Sequence, residues 1–207
     1  MNIFDRWRKL EADMEAAIAA CDHKYIVVTG CARSGTGYMA KVLQAAGLDV
    51  PHFKAAGRDG ISSDVVVPFP CLDDCLVLHQ VRYPLNQISS MQTSVWYTWQ
   101  YLESLIDMEG MNLQRKCMAY WLNWNTIAQR RADFTYKVEH LDHVWTHICS
   151  LAGIENKGLP DVPKNTNTRK GTFDPLTWEQ LEKEDALTAT AIKDRARLYG
   201  YPDYVKV

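Results

Sequence analysis

The chain of 207 residues sets 23 Lys and Arg against 25 Asp and Glu, a formal charge of −2, so no positive excess marks it for bulk binding of a nucleic acid. Hydrophobic residues make up 47% and charged ones 23%, enough apolar material to bury a core and to exclude wholesale disorder. The length suits one α/β domain across residues 1–207, with residues 1–22 as an N-terminal packing helix.

The opening segment carries Arg6, Lys9, Asp13 and Glu15, which interrupt the apolar stretch that an export signal needs. No later run of roughly eighteen apolar residues suggests a membrane span, and the expectation is a cytoplasmic protein that engages no membrane. The cysteines, Cys21, Cys31, Cys71, Cys75, Cys117 and Cys149, are scattered, and reduced thiols are expected. Cys71 and Cys75 lack a second Cys or His pair to complete a tetrahedral zinc site.

In chain order, Phe4, Trp7, Leu10, Met14 and Ile18 recur at helical spacing and predict one apolar face of a helix over residues 4–19. The β-branched run at 24–29 predicts a strand that stops at Gly30, then a polar turn and a helix over 38–46 closed by Gly47. Residues 48–53 predict a second short strand, and 54–63 a loop rich in Gly and polar residues. A strand over 75–81 ends at Arg82, and Pro84 stands where the next helix begins, because a first turn does not use its missing N–H. Helical patterns follow over 96–108 and 113–130, the second with Leu113, Cys117, Tyr120, Trp121, Trp124 and Ile127 on its buried face. The aromatic cluster Trp96, Tyr97, Trp99 and Tyr101 is expected to pack in the core. A strand over 134–138, a helix over 141–152, a loop over 153–175 and a last helix over 176–199 complete the chain. Strands alternating with helices predict a parallel sheet flanked by helices, the P-loop nucleotide-binding architecture, with ligands beyond the carboxyl ends of the strands.

The turn Gly30-Cys31-Ala32-Arg33-Ser34-Gly35-Thr36-Gly37 joins a strand to a helix N-terminus, where unpaired N–H groups and the helix dipole attract an anion such as phosphate. Gly30 and Gly35 match the first half of the nucleotide-binding P-loop pattern, but Thr36-Gly37 replaces the Lys and Ser/Thr that hold terminal phosphates and magnesium. Arg33, between small residues, can neutralise charge building on a leaving oxygen without a divalent ion.

Arg33-Ser34-Gly35-Thr36 resembles the phosphosulfate loop of the sulfotransferase family. In that family an Arg at the end of a later strand and a Ser eight residues on clamp the 3′-phosphate of the donor, and Arg82 and Ser90 look like that pair. Arg169-Lys170-Gly171 is similar to the family's C-terminal element that closes over the same phosphate, and residues 134–141 look like its late strand followed by Glu-x-Leu. The resemblance implies 3′-phosphoadenosine 5′-phosphosulfate as co-substrate, in-line transfer to a hydroxyl or amine of a small-molecule or carbohydrate acceptor, and no metal. It implies that Arg33 stabilises the leaving phosphate, that Ser34, Gly35, Thr36 and Gly37 hold the 5′ side, and that Arg82, Ser90, Arg169, Lys170 and Gly171 hold the 3′ side.

Attack by an alcohol needs a general base. His52 is the first candidate, although Phe53 stands where some relatives have Glu, and Asp59 and Asp64 are rivals. His79, inside an apolar strand, reads as a satisfied core histidine. A P-loop nucleotide or nucleoside kinase and a non-catalytic nucleotide-binding relative are the competing functions.

Overall fold

Short apolar runs with no polar alternation make strands buried on both faces, as a parallel sheet requires. The computed structural model describes residues 3–53, 55–93, 99, 102–163 and 175–202. Among them the order is α1 (Ile3–Ala20), β1 (Ile26–Thr29), α2 (Thr36–Ala45), β2 (Gly60–Ser62), β3 (Leu76–Val81), α3 (Pro84–Met91), α4 (Leu113–Arg131), β4 (Phe134–Lys137), α5 (Leu141–Ala152), α6 (Trp178–Glu184) and α7 (Ala186–Leu198). The strands form one sheet in the order β2-β1-β3-β4. Every pairing is parallel, with Ile26 opposite Gly60 and Leu76, and Leu78 opposite Phe134. All the carboxyl ends therefore meet at one edge, and the turn after β1 lies between the ends of its neighbours.

Period-two alternation sorts the strand side chains onto two cores. Ile26, Val28, Leu76, Leu78 and Tyr136 pack with α2 and α5 on one face. Val27, Val77 and Val81 pack with α1, α3, α4, α6 and α7 on the other. The sheet is thus flanked by helices on both sides. No described helix is long and apolar enough to cross a membrane.

The structure departs from the sequence expectations at identifiable places. Residues 48–53 form no strand; they reach the sheet through a single bridge from His52 to Ser62, while β2 lies inside the expected loop. Gly60 shows why a strand fits there, since a Cβ would stand 2.2 Å from the Ile26 carbonyl oxygen, an approach only glycine permits. The expected final helix is two helices broken at Asp185, whose backbone is extended at φ −159°. On α1 and α4 the apolar faces hold at Trp7, Leu10, Met14, Cys117, Tyr120, Trp121 and Trp124, but the first-turn residues Phe4 and Leu113 are exposed and Ile127 is half-buried. Residues 96–98, 100 and 101 of the helix expected over 96–108, Trp96, Tyr97 and Tyr101 among them, lie outside the described residues, and residues 104–108 are not helical; Trp99 packs edge-on against Tyr120 with ring centres 6.0 Å apart. All six cysteines are free thiols.

Candidate functional site

The turn from Gly30 to Gly35 is held by its carbonyls. Gln87 Nε2 donates to Cys31 O at 2.9 Å and to Ala32 O at 2.8 Å, and Gln80 Nε2 donates to Ser34 O at 2.8 Å. Arg82 Nη1 donates to Arg33 O at 3.2 Å. Both glutamines are fully buried and locked in turn, Gln80 by the Tyr136 hydroxyl at 2.7 Å and Gln87 by Trp121 Nε1 at 3.0 Å. Four successive carbonyls are thereby turned into the protein. On the other side, none of the N–H groups of Gly35, Thr36 and Gly37 finds an acceptor within the described residues. A run of N–H groups at the start of α2, with the helix dipole behind it, is an anion cradle.

Backbone shape serves the same end. Gly30 must be glycine, because a Cβ would lie 2.2 Å from Gln80 O. Gly35 adopts φ 102°, and Arg33, which has a Cβ, is held at φ 67°, a left-handed conformation that costs energy and concentrates at functional turns. The Ser34 hydroxyl is buried with no hydrogen-bond partner among the described residues, a polar group left over by the fold.

The cations converge on this turn. Arg33 Nε donates to Ser90 Oγ at 3.0 Å, so α3 presents Ser90 to the arginine of the loop. Arg82, one residue past β3, reaches the same loop through the Arg33 carbonyl. Glu139 braces the segment after Arg82: its Oε1 accepts from the Tyr83 N–H and its Oε2 from the Tyr201 hydroxyl, each at 2.8 Å. Arg33, Ser34, Gly35, Thr36, Gly37, Arg82 and Ser90 are therefore brought together. Arg169, Lys170 and Gly171 lie outside the described residues.

The titratable candidates part ways. His52 is exposed as a residue, yet the protein around its ring lowers its pKa by desolvation. Its Nε2 lies 3.2 Å from Thr36 Oγ1, which sets the ring against the start of α2. Asp59 belongs to the scaffold: it takes Arg58 in two contacts of 2.8 Å and accepts from the Asp49 N–H at 2.7 Å. The Arg58 hydrogen bond holds its pKa below the usual carboxylate value. Asp64 is the opposite case, since burial pushes its carboxyl up to about 6, with Tyr120 and Arg33 opposing the rise. His79 sits between Thr135 Oγ1 at 3.2 Å and Asn125 Oδ1 at 3.1 Å, and burial lowers its pKa to about 4. It is a satisfied core histidine.

Sequence reasoning gave no part in the site to Gln80, Gln87 or Tyr120, and met Glu139 only as the Glu of the Glu-x-Leu resemblance. A glutamine inside an apolar strand was the one visible signal, because an amide in a core needs partners; the others act across long sequence separations. The half-buried Cys21 and the exposed Asp22 and His23 have atoms close enough for a metal, but neighbouring residues at a chain turn make no built site.

No protein-family profile matches the chain, and no curated protein matches it. Among solved structures, the mouse sulfotransferase SULT7A1 complexed with PAP is similar to it, with 91% of each chain covered, 11% sequence identity and a TM-score of 0.46.

Proposed function

We propose that this chain transfers a sulfuryl group from 3′-phosphoadenosine 5′-phosphosulfate to a hydroxyl or amine of a small-molecule or carbohydrate acceptor. The observation that carries the proposal is the convergence of Arg33, Arg82 and Ser90 on an N–H cradle that lacks the P-loop lysine. A nucleotide with a phosphate at each end needs two cationic contacts, and planar guanidinium groups suit phosphate oxygens. The N–H groups of Gly35, Thr36 and Gly37, with the Ser34 and Thr36 hydroxyls, would hold the 5′ side. Arg82 and Ser90, joined by Arg169, Lys170 and Gly171, would hold the 3′ side. Arg33, already on Ser90, reaches toward both and would carry the charge that develops on the departing 5′-phosphate oxygen. His52 would orient the Thr36 hydroxyl.

Radiolabelled donor, offered with a panel of sugars, aliphatic alcohols and phenols, tests this. Transfer to at least one acceptor is expected, and Arg33→Ala should lower kcat roughly a hundred- to a thousandfold, as when a single preorganised donor to a developing oxyanion is removed. Unchanged turnover in Arg33→Ala would reject the assignment. ATP turnover with magnesium in place of sulfuryl transfer would identify a kinase instead.

A further inference from the structure

Asp64 follows β2 by two residues, at the sheet edge where the Arg33 turn lies. Trp124 Nε1 donates to its backbone carbonyl at 2.7 Å, and the Ser63 N–H donates to Val28 O at 2.8 Å, so the residue is fixed from α4 and from β1. The Tyr120 hydroxyl accepts from the Ala32 N–H at 3.1 Å and stands beside the Asp64 carboxyl. Among the described residues, the titratable and charged groups facing this carboxyl are Arg33 and Cys31 from the turn and Tyr120 from α4. The same tyrosine thus stands next to both the Asp64 carboxyl and the loop that carries Arg33. His52 offers less, since its Nε2 is already set on Thr36.

We propose that Asp64 is the general base that takes the acceptor's proton; this rests on the sulfuryl transfer proposed above. As the acceptor oxygen bonds to sulfur, the bond from sulfur to the 5′-phosphate oxygen breaks, and that oxygen keeps the electron pair beside Arg33. The acceptor's proton passes to a carboxylate oxygen of Asp64 and then to water. Burial favours this role, because a carboxyl titrating near 6 is ionised at neutral pH and is a stronger base than an ordinary carboxylate.

The test combines two measurements on the whole chain: calorimetric affinity for adenosine 3′,5′-bisphosphate, and kcat/KM against pH with ethanol and 4-nitrophenol as acceptor probes. In the wild type kcat/KM should rise with pH through about 6 and then level. Asp64→Asn should lose that rise and roughly a hundredfold or more of kcat/KM with ethanol, less with the more acidic 4-nitrophenol, while nucleotide affinity and melting temperature do not fall. Asp64→Glu should keep a displaced rise. His52→Gln should keep the rise even where affinity drops through Thr36. A pH rise retained in Asp64→Asn but lost in His52→Gln would overturn the proposal, and so would a wild type that binds the nucleotide yet transfers to neither probe. A wild type that fails to bind the nucleotide would overturn the sulfuryl-transfer reading itself.

Discussion

Two groups whose pKa values are displaced by desolvation act in opposite directions on stability. His79 titrates near 4 in the folded chain against 6.5 when free; its neutral ring favours folding fully above 6.5, and that benefit is lost as pH falls toward 4. At 1.36 kcal/mol per unit the loss approaches about 3 kcal/mol. Asp64 titrates near 6 against 3.8, so its cost to folding is absent below 3.8 and complete above about 6; solvent reaching this half-buried residue reduces a ceiling of about 3 kcal/mol. Acidification from pH 7 to 4 therefore subtracts stability at one residue and restores it at the other. Urea unfolding across this range should show acid becoming more stabilising in His79→Gln than in wild type, and more destabilising in Asp64→Asn. Identical pH slopes in all three proteins would contradict both assignments. The catalytic role proposed for Asp64 would account for a destabilising carboxylate in the folded chain.

At the level of elements, the sequence exposed what local chemistry controls and hid what contacts at a distance decide. Pro84 at the start of α3 and Gly47 after α2 were legible because each backbone restriction acts within a turn. Strand β2 was hidden, since Gly60-Ile61-Ser62 gains its place from register against Ile26 and Val28 rather than from any pattern of its own. The break at Asp185 was hidden for a different reason: its carboxyl accepts from the Thr188 N–H at 3.0 Å and pairs with Arg115 at 3.2 Å, so a residue read as interior to one helix begins another. Asp185→Ala should cost about 1–2 kcal/mol in chemical denaturation, the usual value of an N-cap, and Asp185→Asn should cost less because it keeps the acceptor. Equal losses would show that the Arg115 pair, not the cap, matters.

Across the whole molecule, the candidate site joins segments that are remote in sequence. The turn after β1, the end of β3, Ser90 of α3 and Tyr120 of α4 meet because β1 and β3 are sheet neighbours and α3 and α4 share one face. The Arg33 turn could be picked out from sequence because a Gly-rich strand-to-helix turn with a cation suits an anion, and Arg82 and Ser90 only through the family resemblance; the task of Gln80 and Gln87 was not legible, because it is to turn carbonyls away and any buried donor can do that. In the proposed function Arg33 and Arg82 grip opposite ends of one nucleotide. Magnesium-free calorimetry of wild type, Arg33→Ala and Arg82→Ala with adenosine 3′,5′-bisphosphate, 3′-AMP and 5′-AMP measures it. Wild type should prefer the bisphosphate to either monophosphate by roughly ten- to a hundredfold, the worth of a charged hydrogen bond. Arg33→Ala should erase the preference over 3′-AMP, and Arg82→Ala the preference over 5′-AMP; if both variants lost the same preference, or wild type had none, two grips on one nucleotide would be the wrong description.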